Sequence, residues 1–412
     1  MPKIDGPRLL DDLRTLRTFG AAGNGVVRKS LTDIDVEART WLAGRMKEAG
    51  LTVSIDGIGN VIGLSPASGP ALLMGSHTDT QPEGGWLDGA MGVIYGLEVA
   101  RALSQDPETT DLGVDVASWM DEEGTFGICM GSRSFVGQVT EAEIAAAKDV
   151  DGRDMADALT KAGYAGRPRA RLDARRNPGY LEAHIEQGGH LENTGKRIGV
   201  VTAIVGIRTF RLTLEGAQNH AGTTPMPIRK DAGMALIKLA YRIDEAFEAI
   251  KGERTVWTMG RIALHPGSHS IVPGFADMFL QFRDPDEDRM ERFEVAFRAL
   301  VAEANATGPV AISVEPKGEK ITPTPMDETL QAHIAAAAER DAPGNWIHMP
   351  SGAGHDGMII GDEIPVSMLF VPSIGGVSHD FAEDTSEDDI ILGCQVCADA
   401  AARIVRGWKS RD

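Results

Sequence analysis

The sequence predicts an α/β fold with a smaller α+β domain inserted in it, and three observations predict this. Strand-like apolar runs alternate with helical periodicity through the first half of the chain, the rhythm changes between about Phe210 and Pro325, and the alternation resumes after Met326. A chain of 412 residues is also longer than one hydrophobic core ordinarily supports. The expected division is residues 1–210 with 326–412 in one α/β domain and residues 211–325 in the other.

In "LTDIDVEARTWLAGRMKEAG" the period is helical, with Thr32 placed to cap the N-terminus, Asp35 to close a capping box and Gly50 to stop the helix. "LTVSID" and "PALLMGSH" read as strands, "DGAMGVIYGLEVARALSQ" as a long helix, and "GVDVASWMDEEG" as a strand ending in acids. Inside the insert come strand "TFRLTLEG", helix "RKDAGMALIKLAYRIDEAF" and strands near "TVWTMGRIAL" and "FADMFLQFR". Helix "DEDRMERFEVAFRALVAEAN" and strand "VAISVEP" complete the order of a small α+β sandwich. Helix "MDETLQAHIAAAAER", strand "PVSMLFVPS" and a helix from about Ser386 close the α/β domain.

Composition narrows the partners. Hydrophobic content of 42% and charged content of 25% describe a soluble globular chain. A net charge of −19 argues against nucleic acid and anionic membranes, because both are polyanions. No apolar run approaches the ~20 residues of a membrane span, and "MPKIDGPRLLDDLRTL" lacks the apolar centre of a secretory signal. Three cysteines form no disulfide framework and suit a cytoplasmic protein. Cys394 and Cys397 stand as C-x-x-C, but at helical spacing in "ILGCQVCADAAARIV", where two thiols on one buried helix face are the plainer reading.

Acids and imidazoles collect at strand ends and in Gly-rich loops. His77 ends a strand, Asp79 follows two residues on, and Asp88 opens the next helix; Glu122 and Glu123 sit together at the end of another strand. His184 lies in "LEAHIEQGGHLE" and His379 in "GGVSHDFAEDT". Taken singly, a histidine at a strand end is ordinarily a hydrogen-bonded polar residue, and two adjacent glutamates a solvated loop. In α/β folds, however, ligands gather outside the carboxyl ends of strands, so these segments can converge. Neutral imidazoles with carboxylates, one of them bridging, suit two divalent cations. On a strand, Glu122 and Glu123 would point to opposite faces, one toward metal and one toward substrate.

The stretches "GSHTDTQPEGGWLDGAMGV", "DEEGTFG", "GSRSFVG", "HIEQG", "NHAGTTPM", "GAGHDG" and "FVPSIGGVSHDFAEDT" together resemble the hydantoinase/carbamoylase family of di-metal amidohydrolases, in consistent order from about residue 30 to 400. The resemblance implies a di-metal exopeptidase-like catalytic domain, a mixed sheet flanked by helices, with the insert as a lid and dimerisation domain. It implies that His77 and His184 complete one metal site and Glu123 and His379 the other, with Asp88 shared, the ions being Zn, Mn, Co or Ni. Asp79 matches a carboxylate that orients the first histidine, Glu122 the general base, and His220 a group for the oxyanion, in this family often supplied by the partner subunit of a homodimer. Gln187, Gly354 and Arg283 match substrate contacts, with Arg283 gripping a substrate carboxylate.

The chain departs from the family where Ser270 replaces an Asn before "IVPG", which leaves the exact substrate open. Gln281 in place of Asp, and Gly189 in place of Pro, read as structural changes. The implied reaction is hydrolysis of a linear amide or ureido C–N bond of a small carboxylate substrate, first an N-carbamoyl-L-amino acid. Allantoate or a β-ureidopropionase substrate comes next, then an N-acyl amino acid. A metal-binding homologue without catalysis is the reading different in kind, and an intact Glu122 speaks against it.

Overall fold

The computed structural model describes residues 1–318 and 320–409. Two compact units divide it, one of Met1–Thr202 with Met326–Asp412 and one of Ala203–Pro325.

The first unit is built on a mixed sheet. Its four parallel strands lie side by side in the order Val366–Val371, Tyr180–Ile185, Ala71–His77 and Gly113–Trp119. Antiparallel partners flank them: Ile198–Ile204 beside the first, and Val61–Leu64 then Thr52–Ile55 beyond the last. Every residue of Ala71–His77 and of Gly113–Trp119 is buried, as strands covered on both faces require. Helix Ala90–Gln105 is buried all round except at its last two residues. A Cβ added at Gly92 would stand 2.3 Å from the Ala183 carbonyl oxygen, so a glycine lets this helix lie against the strand carrying His184. Helix Glu387–Lys409 packs on it, with Cys394 and Cys397 fully buried as unpaired thiols.

Two features differ from expectation. Helix Gly6–Thr18 occupies the N-terminal stretch for which no element is predicted; Asp5 caps it and Leu9, Leu10, Leu13 and Leu16 form its buried stripe. The helix Asp33–Glu48 does begin at Thr32, whose side chain accepts from the Asp35 amide, but Asp35 closes no capping box. Its carboxylate accepts instead from the Leu31 amide and pairs with Arg39, one turn further on. Asp is a carbon shorter than the Glu or Gln of a true box, and a buried guanidinium claims it.

The second unit is a four-stranded antiparallel sheet, order Val256–His265, Phe275–Asp284, Gly206–Glu215 and Ala311–Pro316. Alternation along the two middle strands sends Phe210, Leu212, Leu214, Met278, Leu280 and Phe282 into a core closed by helices Ala232–Ile250 and Glu287–Thr307. Phe247, Phe282 and Phe293 meet there with ring centroids 4.4–5.6 Å apart. Among the described residues no helix is long and apolar enough to cross a membrane.

Candidate metal centre

Parallel strands share a direction, so their carboxyl ends lie on one side of the sheet. His77 is the last residue of its strand and pairs with Trp119, three residues before Glu122. His184, next to the end of Tyr180–Ile185, pairs with Phe370, and His379 follows in the loop after Val371. Asp88 is presented just before helix Ala90–Gln105 by Gly89, whose φ is +64°. A Cβ on Gly89 would lie 2.4 Å from the His77 Nε2, so any other residue there would displace the ring.

The side chains converge on Asp88. Its Oδ1 lies 3.1 Å from His184 Nε2 and 3.8 Å from His77 Nε2, and its Oδ2 lies 3.2 Å from His379 Nε2. Glu123 Oε2 is 3.8 Å from His379 Nε2, and Glu122 Oε2 is 3.6 Å from His77 Nε2. Donor atoms of His77, Asp88 and His184 all lie within 4.8 Å of one another, and so do those of Asp88, Glu123 and His379. Gln187 donates its amide to both Asp88 oxygens, at 3.3 and 3.2 Å.

Proton affinities record the same crowding. Glu122 is pushed well above the usual carboxyl range by burial, then by Asp356, Glu123, Asp79 and Asp88. Glu123 is raised to about 8 by burial and by Asp88. Burial also opposes ionisation of Asp88, but hydrogen bonds from His184 and His379 outweigh it and hold the carboxyl well below its ordinary value. The His379 imidazole is raised to about 9, first by its hydrogen bond to Asp88. His184 also reaches about 9, Asp88 overcoming the effect of burial. Burial lowers His77. So many acids and imidazoles in one crowded, largely buried cluster cannot all take their preferred charge. Divalent cations fit this donor set, and the Glu123 Oε1, buried without a hydrogen-bond partner, is an acceptor suited to one.

Two expectations change here. The strand ends at Trp119, so Glu122 and Glu123 lie in the following loop, and strand alternation does not separate their directions. Asp121, at φ +57°, turns the backbone so that both acids come back to the cluster. The imidazole of His77 is oriented by the backbone of Asp79 rather than its side chain: Nδ1 lies 3.0 Å from the carbonyl and 3.8 Å from the carboxylate. The Asp79 carboxylate instead accepts from the amides of Glu122 and Glu123, at 3.4 and 3.2 Å.

Peptidase family M20/M25/M40 matches residues 73–403. The chain belongs to that family. An N-carbamoyl-L-amino acid amidohydrolase of Geobacillus stearothermophilus is 33% identical over 420 residues, spanning 98% of this chain and 100% of the relative. An allantoate amidohydrolase of Escherichia coli is 32% identical over 404 residues, spanning 94% and 95%. A solved amidase of the hydantoinase/carbamoylase family from Burkholderia phymatum superposes with a TM-score of 0.95 at 55% identity, covering 99% of both chains. This M20 chain is accordingly an amidohydrolase of the hydantoinase/carbamoylase type.

The amidohydrolase keeps its other candidate residues apart from this cluster in the chain. Gly354 is in the loop after strand Trp346–Ser351, beside His355, whose ring packs edge-on against His184 with centroids 4.6 Å apart. His220, Ser270 and Arg283 belong to the second unit. His220 pairs with Ile271 in a short antiparallel ladder, and the carbonyl of Ser270 accepts from the Ala221 amide at 3.0 Å. Gln281, read from sequence as a structural change, holds Arg283: its Oε1 accepts from the arginine Nε and Nη2, both at 3.1 Å. Sequence reasoning missed Glu383, which accepts from the Asp88 amide at 3.0 Å. It also missed Gln81, which donates to Glu123 Oε2 at 2.6 Å. Both lie within motifs already singled out, and polar residues there were the available signal.

Proposed function

We propose that the chain hydrolyses the carbamoyl C–N bond of N-carbamoyl-L-amino acids, giving the amino acid, carbon dioxide and ammonia. The observation that supports this most is the pair of three-donor groups joined through Asp88, with Glu122 beside them. In this reading His77, Asp88 and His184 hold one divalent cation and Asp88, Glu123 and His379 the other. When bound, two such ions (Zn, Mn, Co or Ni) polarise the scissile carbonyl and lower the pKa of water. Glu122 takes a proton from the attacking water and hands it to the leaving nitrogen. Its burial beside like charges raises its proton affinity in the direction that task needs.

Other residues are assigned to the substrate one by one. The His220 Nδ1 accepts from the amides of Gly222 and Thr223, at 3.0 and 3.2 Å, which puts the imidazole proton on Nε2. That N–H is a donor for the oxygen that gains negative charge. Arg283 grips the substrate carboxylate, and Ser270, Gln187 and Gly354 complete the contacts. A homodimer through residues 211–325 is supported by Met234, Ile237 and Tyr241, all exposed on helix Ala232–Ile250, and by Ile262 and Leu264 on an edge strand. Three buried unpaired thiols accord with a cytoplasmic setting.

Allantoate is the second reading, favoured by the E. coli relative, and Ser270 in place of the expected Asn leaves the choice between the two open. A screen of the metal-loaded enzyme against N-carbamoyl, N-formyl and N-acyl L-amino acids and allantoate separates them. The highest kcat/KM is expected on an N-carbamoyl-L-amino acid. Preference for allantoate would move the assignment to the second reading, and preference for acyl substrates would overturn both.

A further inference from the structure

Helix Asp33–Glu48 carries a fully buried arginine that the reaction as described does not use. The Arg39 guanidinium reaches five groups, the most distant hydrogen bond being from Nη1 to the Ser118 carbonyl at 3.5 Å. Its Nε donates to both Asp35 oxygens at 3.0 Å, and its Nη1 to the Gly59 carbonyl at 3.2 Å. The Nη2 donates to the Trp119 carbonyl at 3.2 Å and faces Asp79 Oδ1 at 3.9 Å. Trp119 is the last residue of the strand that leads to Glu122 and Glu123. Asp79 is the residue whose carboxylate receives both of their amides.

We propose that Arg39 is a positioning residue for Glu122 and Glu123, acting through Asp79 and through the end of strand Gly113–Trp119. The geometry is a bracket. One guanidinium fixes the point where the loop leaves the sheet and the carboxylate on which the loop docks. Between those points Asp121 holds a left-handed conformation that an untethered loop would relax. Asp35 takes the Nε–H with both oxygens and helps set the guanidinium plane. Lysine could keep the charge, but it could not hold a carbonyl, a carboxylate and a second acid in fixed directions at once. His77 leans on the Asp79 carbonyl rather than on the carboxylate that Arg39 faces, and Glu122 and Glu123 dock on that carboxylate directly, so loss of the bracket should fall more heavily on the Glu123 half of the centre.

The inference rests on the roles proposed above for Glu122 and Glu123, and the test separates the two. In Arg39→Lys, kcat should fall by about 10–100-fold, the usual cost of losing an orienting partner, with KM held. Metal titration of the metal-depleted chain should show one of two equivalents weakened over a similar range and the other less so. A substitution that merely loosened the fold would weaken both together. Equal weakening of both equivalents, or an unchanged kcat, overturns the proposal.

A wild-type measurement keeps it falsifiable if the variant does not fold. Amide hydrogen exchange at Glu122 and Glu123 should be slow although both lie in a loop, and exchange at open-loop rates would overturn it. Glu122→Gln checks the underlying reading: if that variant stays active while Arg39→Lys shows the split, the bracket stands and the base is another residue.

Discussion

The two units treat the same chemical groups in opposite ways. In the first, His77, His184 and Asp88 are buried, and each is held by a second polar group: a carbonyl, a backbone amide or another acid. In the second, His220 is exposed and, among the described residues, its ring is held by amides two and three residues along its own chain. Strain follows the same line. Among the described residues all five non-glycine positions with positive φ, Leu31, Asp121, Cys129, Gln187 and His379, lie in the first unit. His77, Asp88 and His184, which would hold cations, are over-determined by their surroundings, whereas His220 is left able to adjust.

If the first unit holds the chemistry and the second the substrate, perturbing them should separate turnover from recognition. Exhaustive chelation is the largest perturbation: activity should vanish and return with Mn2+, Co2+ or Zn2+. Full activity in a preparation that elemental analysis finds free of transition metal would break the comparison at once. Next is Glu122→Gln, which keeps shape but cannot take the proton. Turnover should drop about 10²–10⁴-fold, the usual share of a general acid–base group, while metal content persists. Retained turnover would put the base elsewhere.

The second unit should respond more mildly. His220→Ala should cost about 10²–10³-fold in kcat, as for one lost oxyanion donor, without changing metal binding. Mixing it with Glu122→Gln chains tests whether the histidine crosses a dimer interface. Recovered activity places it in trans, and none, in confirmed heterodimers, places it in cis. Smallest is Arg283→Lys, expected to raise KM for carboxylate substrates by about 10–100-fold, from the 1.5–3 kcal/mol of a charge-assisted hydrogen bond, with kcat held. An unchanged KM would mean that the carboxylate is read elsewhere.

What could be read from sequence was whatever sits in a distinctive local pattern. Strand ends rich in His, Asp and Gly marked His77, Asp88, His184 and His379 as a set, because topology brings such ends together whatever the details of packing. Helix Gly6–Thr18 was equally legible, with Asp5 before it, Pro7 in its first turn and leucines at helical spacing, although no helix is predicted there. The directions of Glu122 and Glu123 were not legible, since they depend on a left-handed Asp121 that no local rule demands of aspartate. Nor was Arg39, whose partners stand 4, 20, 40, 79 and 80 residues away in the chain. Buried charges find partners across the fold, and sequence spacing carries no record of that.

The order of strands in the first unit also governs when it can form. Val366–Val371 is the parallel neighbour of Tyr180–Ile185, yet the whole of Ala203–Pro325 is synthesised between them. At about 5–20 residues per second, the earlier strand waits on the order of 10–40 s on the ribosome with one edge unpaired. The contiguous second unit can close its own sheet in that interval, because all four of its strands have already emerged. Folding of this chain should therefore run from the inside of the sequence outward, and the metal-binding half, with the long-range pairings, should be the part that chaperones have to guard.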